Sequence, residues 1–296
     1  MFEHPQLAAL SAIMRTGSFE AAADHLAVTQ SAISQRIRAL EDRVGSPVLK
    51  RGTPLEATAT GARLVAHADA LARLDAELDT DLGRDHMLTL CLAVNADSLD
   101  TWFLPALRGH SDRRFQIRAE DQDHSADLLR SGEVAAAVTT RAEPVQGADV
   151  MPLGALRYLA TASPEFVATH LKDGITPKSL AKAPALAFNE KDRLQKTWAR
   201  RATGKDITLT AHYLPSTRGF VEAAILGIGW GLNPELLVRD AIQRGDLVTL
   251  HPDLPHDTAL YWQTSRIGKG ALAPLTENVK KAARRHLIAA SKASSF

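Results

Sequence analysis

The chain has 296 residues, of which 45% are hydrophobic and 23% charged, with a net charge of +1. This length allows two or three separate cores, and the composition is that of an ordinary soluble globular protein. The near-neutral charge excludes a protein that coats nucleic acid non-specifically, but not one that concentrates basic residues on one surface. A single cysteine, Cys91, excludes an intramolecular disulfide framework and a cysteine-rich metal site. Because Cys91 lies in a strand-like run, we expect a buried core residue rather than a redox sensor.

The sequence lacks the patterns of several other protein classes. No signal peptide is visible, and no apolar run approaches the ~20 residues of a membrane span, so a cytoplasmic protein without a membrane partner is expected. The GIGWG segment lacks the spacing of a nucleotide-binding loop, and GxxxxGKS/T, HExxH and GxSxG are absent. The histidines show no metal-ligand spacing. We therefore predict no enzyme, no catalytic residue, no metal site and no cofactor.

Three short helical patterns open the chain. The first covers residues 5–15, and two more share residues 18–44. Ser18 and Thr29 are suitable N-caps for the second and third helices, which are separated by only two residues. The third helix carries one apolar stripe, at Ile33, Ile37, Leu40 and Val44. Two crossed helices joined by so tight a turn form a helix-turn-helix.

The polar face of the third helix is suited to contact with DNA. Gln and Ser are short hydrogen-bonding partners for base edges, whereas Arg forks onto guanine or clamps a phosphate. The alternative is an ordinary solvated face, but a Ser–Gln face without Glu or Lys is less usual and favours double-stranded DNA as a partner. The residues predicted to contact DNA here are Ser18, Thr29, Gln30, Ser31, Ser34, Gln35, Arg36 and Arg38.

Residues 29–51, TQSAISQRIRALEDRVGSPVLKR, resemble the signature of LysR-type transcriptional regulators, and the resemblance extends over the whole chain. It implies a winged helix-turn-helix followed by a periplasmic-binding-protein-like effector domain. Residues 47–55 fit the wing, with Lys50 and Arg51 placed to meet phosphate. RNA polymerase is a further candidate partner on this resemblance.

A longer helix is predicted after Thr58, and its apolar residues recur every seven positions. The series consists of Leu64, Leu71 and Leu78, with His67 and Leu74 at the intermediate positions. The pattern fits either a coiled-coil seam between two chains or an amphipathic helix packed on its own domain. We favour the seam, and hence a homodimer or homotetramer, because paired helix-turn-helix units double the DNA site.

From Met87 onward, short apolar strands alternate with helical patterns. The order LTLCLAV, LDTWFLPALRGH, FQIRAED, SADLLRSG and VAAAVTT is strand–helix–strand–helix–strand, which indicates a parallel sheet with helices on its faces. Two such lobes, joined by crossings near residues 160–163 and 264–266, place a ligand cleft at the carboxyl ends of their strands.

The predicted fold class is therefore α/β, with an all-α winged helix-turn-helix N-terminal domain and a two-lobed, periplasmic-binding-protein-like effector domain. The predicted limits are 1–58 for the DNA-binding domain, 59–86 for the dimerisation helix and hinge, and 87–296 for the effector domain. Within the effector domain, lobe I is predicted at 87–160 and 266–296, and lobe II at 161–265.

Four segments, LAVNADSLDTWFLPAL, SGEVAAAV, LGALRYLA and LYW, resemble the ArgP/LysG branch of this family and span both lobes. The branch comprises regulators of basic amino acid export that sense lysine and arginine. The resemblance implies an L-lysine or L-arginine effector and an exporter gene as the target. A LysR-type regulator with another effector, and an α/β ligand-binding protein without DNA binding, remain as alternatives.

The chemistry of the predicted cleft agrees with a basic amino acid. Asn95, Asp97 and Ser98 lie where the first strand turns into a helix, and backbone N–H groups and a hydroxyl there can hold a carboxylate. Asp97 and the carboxylates after the second strand could neutralise an ammonium or guanidinium, although Asp97 could also serve only as a helix cap. The predicted effector residues are Asn95, Asp97, Ser98, Trp102, Glu120, Asp121, Thr139, Thr140, Asn189 and Ser216, with Asp123 and Thr217 as further candidates.

Overall fold

A computed structural model of the chain describes residues 2–50, 52, 54–84, 87–119 and 122–289, with the side chains of 122–124 excepted. The predicted site residues Arg51, Glu120 and Asp121, and the side chain of Asp123, lie outside this description. In the part of the chain that is described, no helix is both long enough and apolar enough to cross a membrane.

The N-terminal domain contains the three predicted helices, α1 (His4–Thr16), α2 (Phe19–His25) and α3 (Gln30–Val44). Both predicted N-caps are confirmed. The hydroxyl of Ser18 accepts a hydrogen bond from the Ala21 N–H at 3.0 Å, and that of Thr29 accepts one from the Ala32 N–H at 3.2 Å. Each bond satisfies one of the backbone donors that a helix start leaves without an intrahelical partner.

The apolar stripe of α3 fixes how the three helices pack. Ile33, Ile37 and Leu40 are buried in one cluster with Leu10 and Ile13 of α1. The turn between α2 and α3 is as tight as predicted, because Ala27 adopts a left-handed conformation with φ 51°. The stripe therefore faces inward, and the polar face of α3 faces outward.

A two-stranded wing follows, formed by β1 (Leu49–Lys50) and β2 (Glu56–Ala57), and the chain then enters the long helix α4 (Ala59–Asp81). Thr58 caps α4 as predicted, with its hydroxyl accepting from the Gly61 N–H at 3.0 Å. A Cβ on Gly61 would lie 1.9 Å from the carbonyl oxygen of Val48, so α4 packs directly on the base of the wing.

The C-terminal region begins with β3 (Leu88–Val94), α5 (Ala96–Ser98) continued by a π-helical turn (Leu99–Phe103) and a 3-10 turn (Leu104–Leu107), β4 (Arg113–Ala119), α6 (Gln122–Ser131), β5 (Ala136–Thr139) and β6 (Ala148–Ala162). It continues with α7 (Pro164–His170), α8 (Pro177–Lys182), β7 (Ala185–Ala187), α9 (Leu194–Thr203), β8 (Ala211–Tyr213), α10 (Thr217–Ile225) and β9 (Gly231–Pro234). It closes with α11 (Glu235–Arg244), β10 (Val248–Thr249), β11 (His256–Ser265) and α12 (Lys269–His286).

Seven of these strands form one mixed sheet in the order β10-β6-β11-β5-β3-β4, with β9 beside β6. The predicted parallel pairing is confirmed for β3 with β4 and for β3 with β5. The remaining pairs of this sheet are antiparallel. The longest of them joins β11 to β6 along most of their length. Lobe I lies around β3–β5, and lobe II lies around β9 and β10 with the separate parallel pair of β7 and β8.

The two crossings between the lobes lie within strands rather than at their ends. Residues 261–264 of β11 pair with β5 in lobe I, whereas residues 158–161 of β6 pair with β9 in lobe II. The crossings therefore fall near Gly154 of β6 and near the register shift between Leu260 and Tyr261 of β11, not near residues 160–163 and 264–266. The reason is that each crossing strand runs without a break through both lobes. The domain limits given above stay a prediction.

Helix α4 is packed on lobe I of its own chain. Arg73 is only 4% exposed, and its Nε donates to the carbonyl oxygen of Ile267 at 3.3 Å. Glu77 accepts a hydrogen bond from the Ala271 N–H at 3.1 Å, in the first turn of α12. A Cβ on Gly268 would lie 2.4 Å from the Cβ of Arg73. We call the contact of Arg73 and Glu77 with residues 267–271 the α4 dock.

The predicted heptad series of α4 divides between two environments. Leu64 is buried in the N-terminal core at 7% exposure, so it does not belong to a free seam, and Leu71 is half-buried against the same core. Leu74 and Leu78 are 45% and 58% exposed, on the face of the helix next to the α4 dock. One part of the α4 series therefore packs on the chain's own N-terminal domain, and the other part forms an exposed apolar stripe.

Candidate DNA-contact surface and effector cavity

The predicted DNA-contact residues form one surface on α3 and the turn before it. Gln35 and Arg38 are exposed on the side of α3 opposite its buried isoleucines, while Ser34 and Arg36 are half-buried at the border. The remaining exposed members of this surface are Ser18, Thr29, Gln30 and Ser31. Gln35 and Arg38 are not covered by any described residue of the N-terminal domain, so an element of this size can enter a major groove.

Some of the hydroxyls on this surface also hold the helix in place. Ser18 and Thr29 cap α2 and α3, and Thr29 Oγ1 lies 2.9 Å from the hydroxyl of Ser31. The Ser34 hydroxyl donates to the Gln30 carbonyl at 3.1 Å. Its oxygen can still accept a hydrogen bond from a base or from a water molecule. Gln35 and Arg38 have the longest exposed side chains on this face, and they carry the prediction of base and phosphate contact.

In the wing, the ammonium of Lys50 lies 2.9 Å from a carboxylate oxygen of Glu56, and both side chains are more than half exposed. An exposed pair of this kind contributes only about 0–1 kcal/mol. Lys50 can therefore exchange Glu56 for a DNA phosphate at little cost.

A cavity of about 620 Å³ opens between the two lobes. Its wall is formed by residues 95–97 after β3, the loop before and at the start of α9, the start of α10, strand β9, and the start of β11. This is the cleft at the carboxyl end of β3 that the alternating strand and helix pattern predicts. A cavity of this volume is in the range of small-molecule sites.

At this cavity, the carboxylate of Asp97 in lobe I accepts hydrogen bonds from two hydroxyls of lobe II. Its Oδ2 accepts a hydrogen bond from the Tyr158 hydroxyl at 2.6 Å, and its Oδ1 accepts one from the Thr217 hydroxyl at 2.7 Å. Burial raises the pKa of Asp97 above its usual value although both hydroxyl bonds act to lower that pKa. Among the described residues, no cation forms an ion pair with this carboxylate.

Several polar atoms buried in the cavity wall have no hydrogen-bond partner among the described residues. They are Asn95 Oδ1, Gln195 Oε1, Asn233 Oδ1, His256 Nδ1 and Thr258 Oγ1. Burial, followed by the charge of Arg201, lowers the pKa of His256, so its neutral form is favoured. Because buried polar groups are nearly always paired in native proteins, this concentration of unpartnered atoms marks the wall as a ligand site.

The loop before α9 is held by its own side chains. The Asp192 carboxylate accepts from the Phe188 N–H at 3.0 Å and from the Leu194 N–H at 2.9 Å. The Asn189 side-chain oxygen accepts from the Lys191 N–H at 2.8 Å. The loop consequently has a fixed shape, and the exposed side chains of Lys191 and Arg193 lie at the rim of the cavity.

Three of the predicted effector residues, Asn95, Asp97 and Asn189, line the cavity, as does the further candidate Thr217. Five others do not line it: Ser98, Trp102, Thr139, Thr140 and Ser216. The geometry thus corrects the expectation that these five face the cleft. For the three that line it, contact with an effector stays a prediction.

Four of these five residues, all except Thr140, have other environments in the structure. Ser98 and Trp102 are fully buried in the core beneath the cavity, where Trp102 packs edge-on against Phe103. Thr139 accepts a hydrogen bond from Gln263 at 3.3 Å inside lobe I. Ser216 caps α10 by accepting from the Gly219 N–H at 3.0 Å. A residue at the end of a strand or the start of a helix therefore does not always face the cavity.

Sequence reasoning missed several cavity residues, among them Gln195, Asn233, His256 and Thr258. Asn233 carried a usable signal, since it is the polar residue in the otherwise apolar segment GIGWGLNP. His256 and Thr258 carried none, because they reach the cavity only through the antiparallel pairing of β11 with β6. Tyr158 was missed for the same reason, as its role depends on an aspartate 61 residues away.

Cys91 is half-buried on β3, with its Sγ 3.1 Å from the Gln116 side-chain oxygen. Burial raises the pKa of the Cys91 thiol to about 11. A thiol that stays protonated at neutral pH is a poor redox sensor, in agreement with the structural role predicted for it. Within the described residues, no three or more His, Cys, Asp and Glu side chains are grouped to hold a metal ion.

Comparison with known families assigns both halves of the chain. Residues 4–62 match the family described as bacterial regulatory helix-turn-helix protein, lysR family, and residues 84–284 match the LysR substrate binding domain. The chain belongs to the LysR family of DNA-binding transcriptional regulators. It is therefore a regulator and not an enzyme.

Individual relatives are similar over nearly the full length. The transcriptional regulator LysG of Mycobacterium tuberculosis is 44% identical over 94% of this chain and 93% of its own length. The crystal structure of ArgP from Mycobacterium tuberculosis has a TM-score of 0.80 and 43% identity, covering 97% of this chain and 99% of that one. Full-length LysG from Corynebacterium glutamicum with bound effector Arg has a TM-score of 0.67 and 37% identity over 97% of this chain and 99% of that one. These similarities confirm the resemblance to the ArgP/LysG branch and the predicted fold class.

Proposed function

We propose that this chain binds operator DNA and changes transcription in response to a basic amino acid, L-lysine or L-arginine. The target gene encodes a basic amino acid exporter, and RNA polymerase is the partner on which the change acts. The observation that carries the effector class is the Asp97 carboxylate, which is half-buried in the cavity wall and has no ion-pair partner among the described residues.

A buried carboxylate without a cation is held at a cost, since burial disfavours its charged form. The hydroxyls of Tyr158 and Thr217 offset part of that cost, each by roughly 1.5–3 kcal/mol. The ammonium or guanidinium of an effector would supply the missing charge. A neutral or acidic effector would leave the cost in place, so the cavity favours a cation.

The unpartnered atoms of the wall favour a ligand rich in N–H donors. The side-chain oxygens of Asn95, Gln195 and Asn233 can each accept from such a group. A guanidinium brings five N–H donors and an ammonium brings three. We therefore expect arginine to bind more tightly than lysine. The arginine bound to the Corynebacterium glutamicum LysG supports the same class of effector.

The exposed leucines of α4 support a homodimer, and a homotetramer built from two such dimers. Leu74 and Leu78 are 45% and 58% exposed and belong to the predicted heptad series, and Leu82 just beyond the helix is 56% exposed. Pairing two chains through this stripe joins two helix-turn-helix units on one operator. Regulation of a chromosomal gene places the protein in the cytoplasm.

Calorimetric titration of the full-length protein with lysine, arginine, histidine and a neutral amino acid tests the effector class. We expect heats for arginine and lysine and none for the neutral amino acid. Equal or absent heats for all four would contradict a basic amino acid effector and leave the family membership untouched.

A gel shift with the promoter of a neighbouring divergent gene tests the regulatory function. We expect a specific complex whose affinity or mobility changes when arginine or lysine is added. The matched control is the same titration on the Asp97→Asn variant, which should bind the promoter but no longer respond to either amino acid. A complex that ignores both amino acids in the unmodified protein would refute the proposed response.

A further inference from the structure

The two hydroxyls that hold Asp97 come from outside the lobe that carries it. Asp97 follows β3 in lobe I, whereas Tyr158 lies on the part of β6 that pairs with β9, and Thr217 begins α10 in lobe II. Tyr158 and Thr217 are only 2% and 3% exposed. Each hydroxyl donates to a different oxygen of the carboxylate, so the orientation of the carboxylate across the cleft is fixed.

We propose that Tyr158 and Thr217 are positioning residues that hold the Asp97 carboxylate to receive the side-chain cation, rather than the α-ammonium, of the effector. The inference rests on the proposed function. It adds which end of the amino acid the carboxylate recognises and which residues make that recognition possible. The same carboxylate would then connect the two lobes and bind the ligand, so the contact between the lobes would contribute to ligand selection.

The distribution of charge and apolar surface in the cavity separates the two ends of the ligand. The positive side chains at the rim, Lys191 and Arg193, are exposed and suit the α-carboxylate of an amino acid. Neither forms an ion pair with Asp97. The cavity wall also presents the apolar side chains of Phe220 and Leu232, against which the methylene stem of lysine or arginine can pack.

The nearest alternative carboxylate is not available to a ligand in the same way. Both oxygens of Asp192 already accept backbone N–H bonds from Phe188 and Leu194. These bonds commit Asp192 to the shape of its own loop, whereas Asp97 is bonded only to two hydroxyls of the other lobe, and a cation can add to its remaining lone pairs. The deep cation site is therefore Asp97.

The charged groups around Asp97 define how its ionisation responds to the two hydroxyls. Burial and the negative charges of Asp192 and Asp100 raise the pKa of Asp97, and the bonds from Tyr158 and Thr217 lower it. Two other groups stand nearby: Arg218 of α10 is 3.5 Å from Asp100, and the His256 ring of β11 packs edge-on against Tyr158. Removing either hydroxyl raises the pKa of Asp97 further, so cation binding is lost at a higher pH as the solution is acidified.

A ligand series identifies the end of the amino acid that Asp97 recognises. Citrulline and norleucine keep the α-ammonium of arginine and lysine but have neutral side chains. We expect both to bind at least about ten-fold more weakly than their charged counterparts by calorimetry, and this preference to collapse in Asp97→Asn. If arginine binds but citrulline binds equally well, the side-chain assignment is overturned. If the unmodified protein binds neither arginine nor lysine, the proposed function fails instead.

Two substitutions test the positioning role. Tyr158→Phe and Thr217→Val each remove one hydroxyl, and we expect arginine affinity to fall roughly 3- to 10-fold at pH 7 with the acid limb of the binding profile moved to higher pH. Tyr261→Phe, which removes a phenol outside the cavity wall, should match the unmodified protein. Thr217→Ser, which keeps the hydroxyl, should recover most of the affinity that Thr217→Val loses. Unchanged affinity and an unchanged pH profile in Tyr158→Phe and Thr217→Val would overturn the proposal. A matching loss in Tyr261→Phe would do the same.

Discussion

Ala27 shows how a single backbone angle sets the geometry of the helix-turn-helix. Its φ of 51° belongs to the left-handed region, and the turn is closed by a 3.0 Å hydrogen bond from the Val28 N–H to the Ala23 carbonyl. A residue with a Cβ holds that conformation at a cost of roughly 1–2 kcal/mol, whereas glycine adopts it freely. The turn is therefore strained by its own sequence.

We predict that Ala27→Gly raises the free energy of unfolding by about 0.5–1 kcal/mol, because the relief of strain exceeds the added entropy of the unfolded chain. Urea denaturation followed by circular dichroism measures the change. The control is Ala39→Gly, an exposed site in the middle of α3, where the same substitution should lower stability by roughly 0.5–1 kcal/mol. Destabilisation by Ala27→Gly would contradict this account of the turn.

Arg38 is an exposed cation on the face of α3 that is predicted to contact DNA. We predict that Arg38→Ala weakens operator binding by about 1–3 kcal/mol, because Arg bonds either to guanine or to a phosphate. Fluorescence anisotropy on the operator and on a scrambled duplex distinguishes the two, since only a base contact relaxes specificity. Arg200→Ala is the matched control, as Arg200 is exposed on α9 and lies 3.8 Å from Asp206. Equal binding by Arg38→Ala and the unmodified protein would remove α3 as the recognition helix.

At the scale of residues, the sequence predicts those features that depend only on neighbouring positions in the chain, such as helix caps and apolar stripes. The caps at Ser18 and Thr29 and the stripe of Ile33 and Ile37 need only a few residues of context, and all four are where the pattern predicts. Cavity residues depend on partners far along the chain. Asp97, for instance, meets Thr217 across 120 positions, and no local pattern encodes that contact.

At the scale of elements, the exposed stripe of α4 is an apolar surface on which none of the described residues packs. Leu78 is 58% exposed near the centre of that stripe. We predict that Leu78→Asp raises the dimer dissociation constant at least about ten-fold, or 1.4 kcal/mol, because a carboxylate would be buried in the seam.

Analytical ultracentrifugation across a concentration series measures this shift. Leu104→Asp provides the control, since Leu104 is also a largely exposed leucine, at 53%, but lies outside α4. The same sedimentation behaviour for both variants would mean that the chains associate through another surface.

Most elements follow from apolar periodicity, yet their arrangement does not. The strands β3, β4 and β5 are parallel as predicted, because helices long enough to cross the sheet separate them. Strand β6 spans 15 residues, and its pairing with β11 joins the lobes into one sheet. The register of this pairing shifts next to Gly154, whose φ of 130° and missing Cβ leave room for the carbonyl of Ile288.

At the scale of the whole molecule, the α4 dock connects the two functional surfaces. Helix α12 packs along the helical turns that follow Asp97, and its first turn meets Glu77 of α4. Strand β11 begins at the cavity with His256 and ends two residues before Ile267, which bonds to Arg73. Two elements thus run from the cavity to the base of the DNA-binding domain.

We predict that Gly268→Ala uncouples these surfaces, because its Cβ would overlap that of Arg73 at 2.4 Å. Arginine should still bind, but its effect on promoter affinity should fall, and calorimetric unfolding should resolve into separate domain transitions. Gly245→Ala tests the backbone strain alone, since Gly245 has a similar φ of 83° and nothing within 4 Å of its added Cβ. If the Gly268→Ala protein responds to arginine as fully as the Gly245→Ala protein, the dock does not carry the signal.

The α4 dock also links the movement of the effector domain in one chain to the α4 helix of a partner chain. Arg73 and Glu77 lie on one face of α4, and Leu74 and Leu78 lie about 100° around the helix on the neighbouring face, as the 3.6-residue helical repeat requires. A rotation of α4 that follows movement of its own effector lobe must therefore turn the leucines at the same time. Because those leucines would interlock with an identical helix, one occupied cavity would change the register available to the unoccupied subunit, and the two DNA-binding domains of a pair would move together.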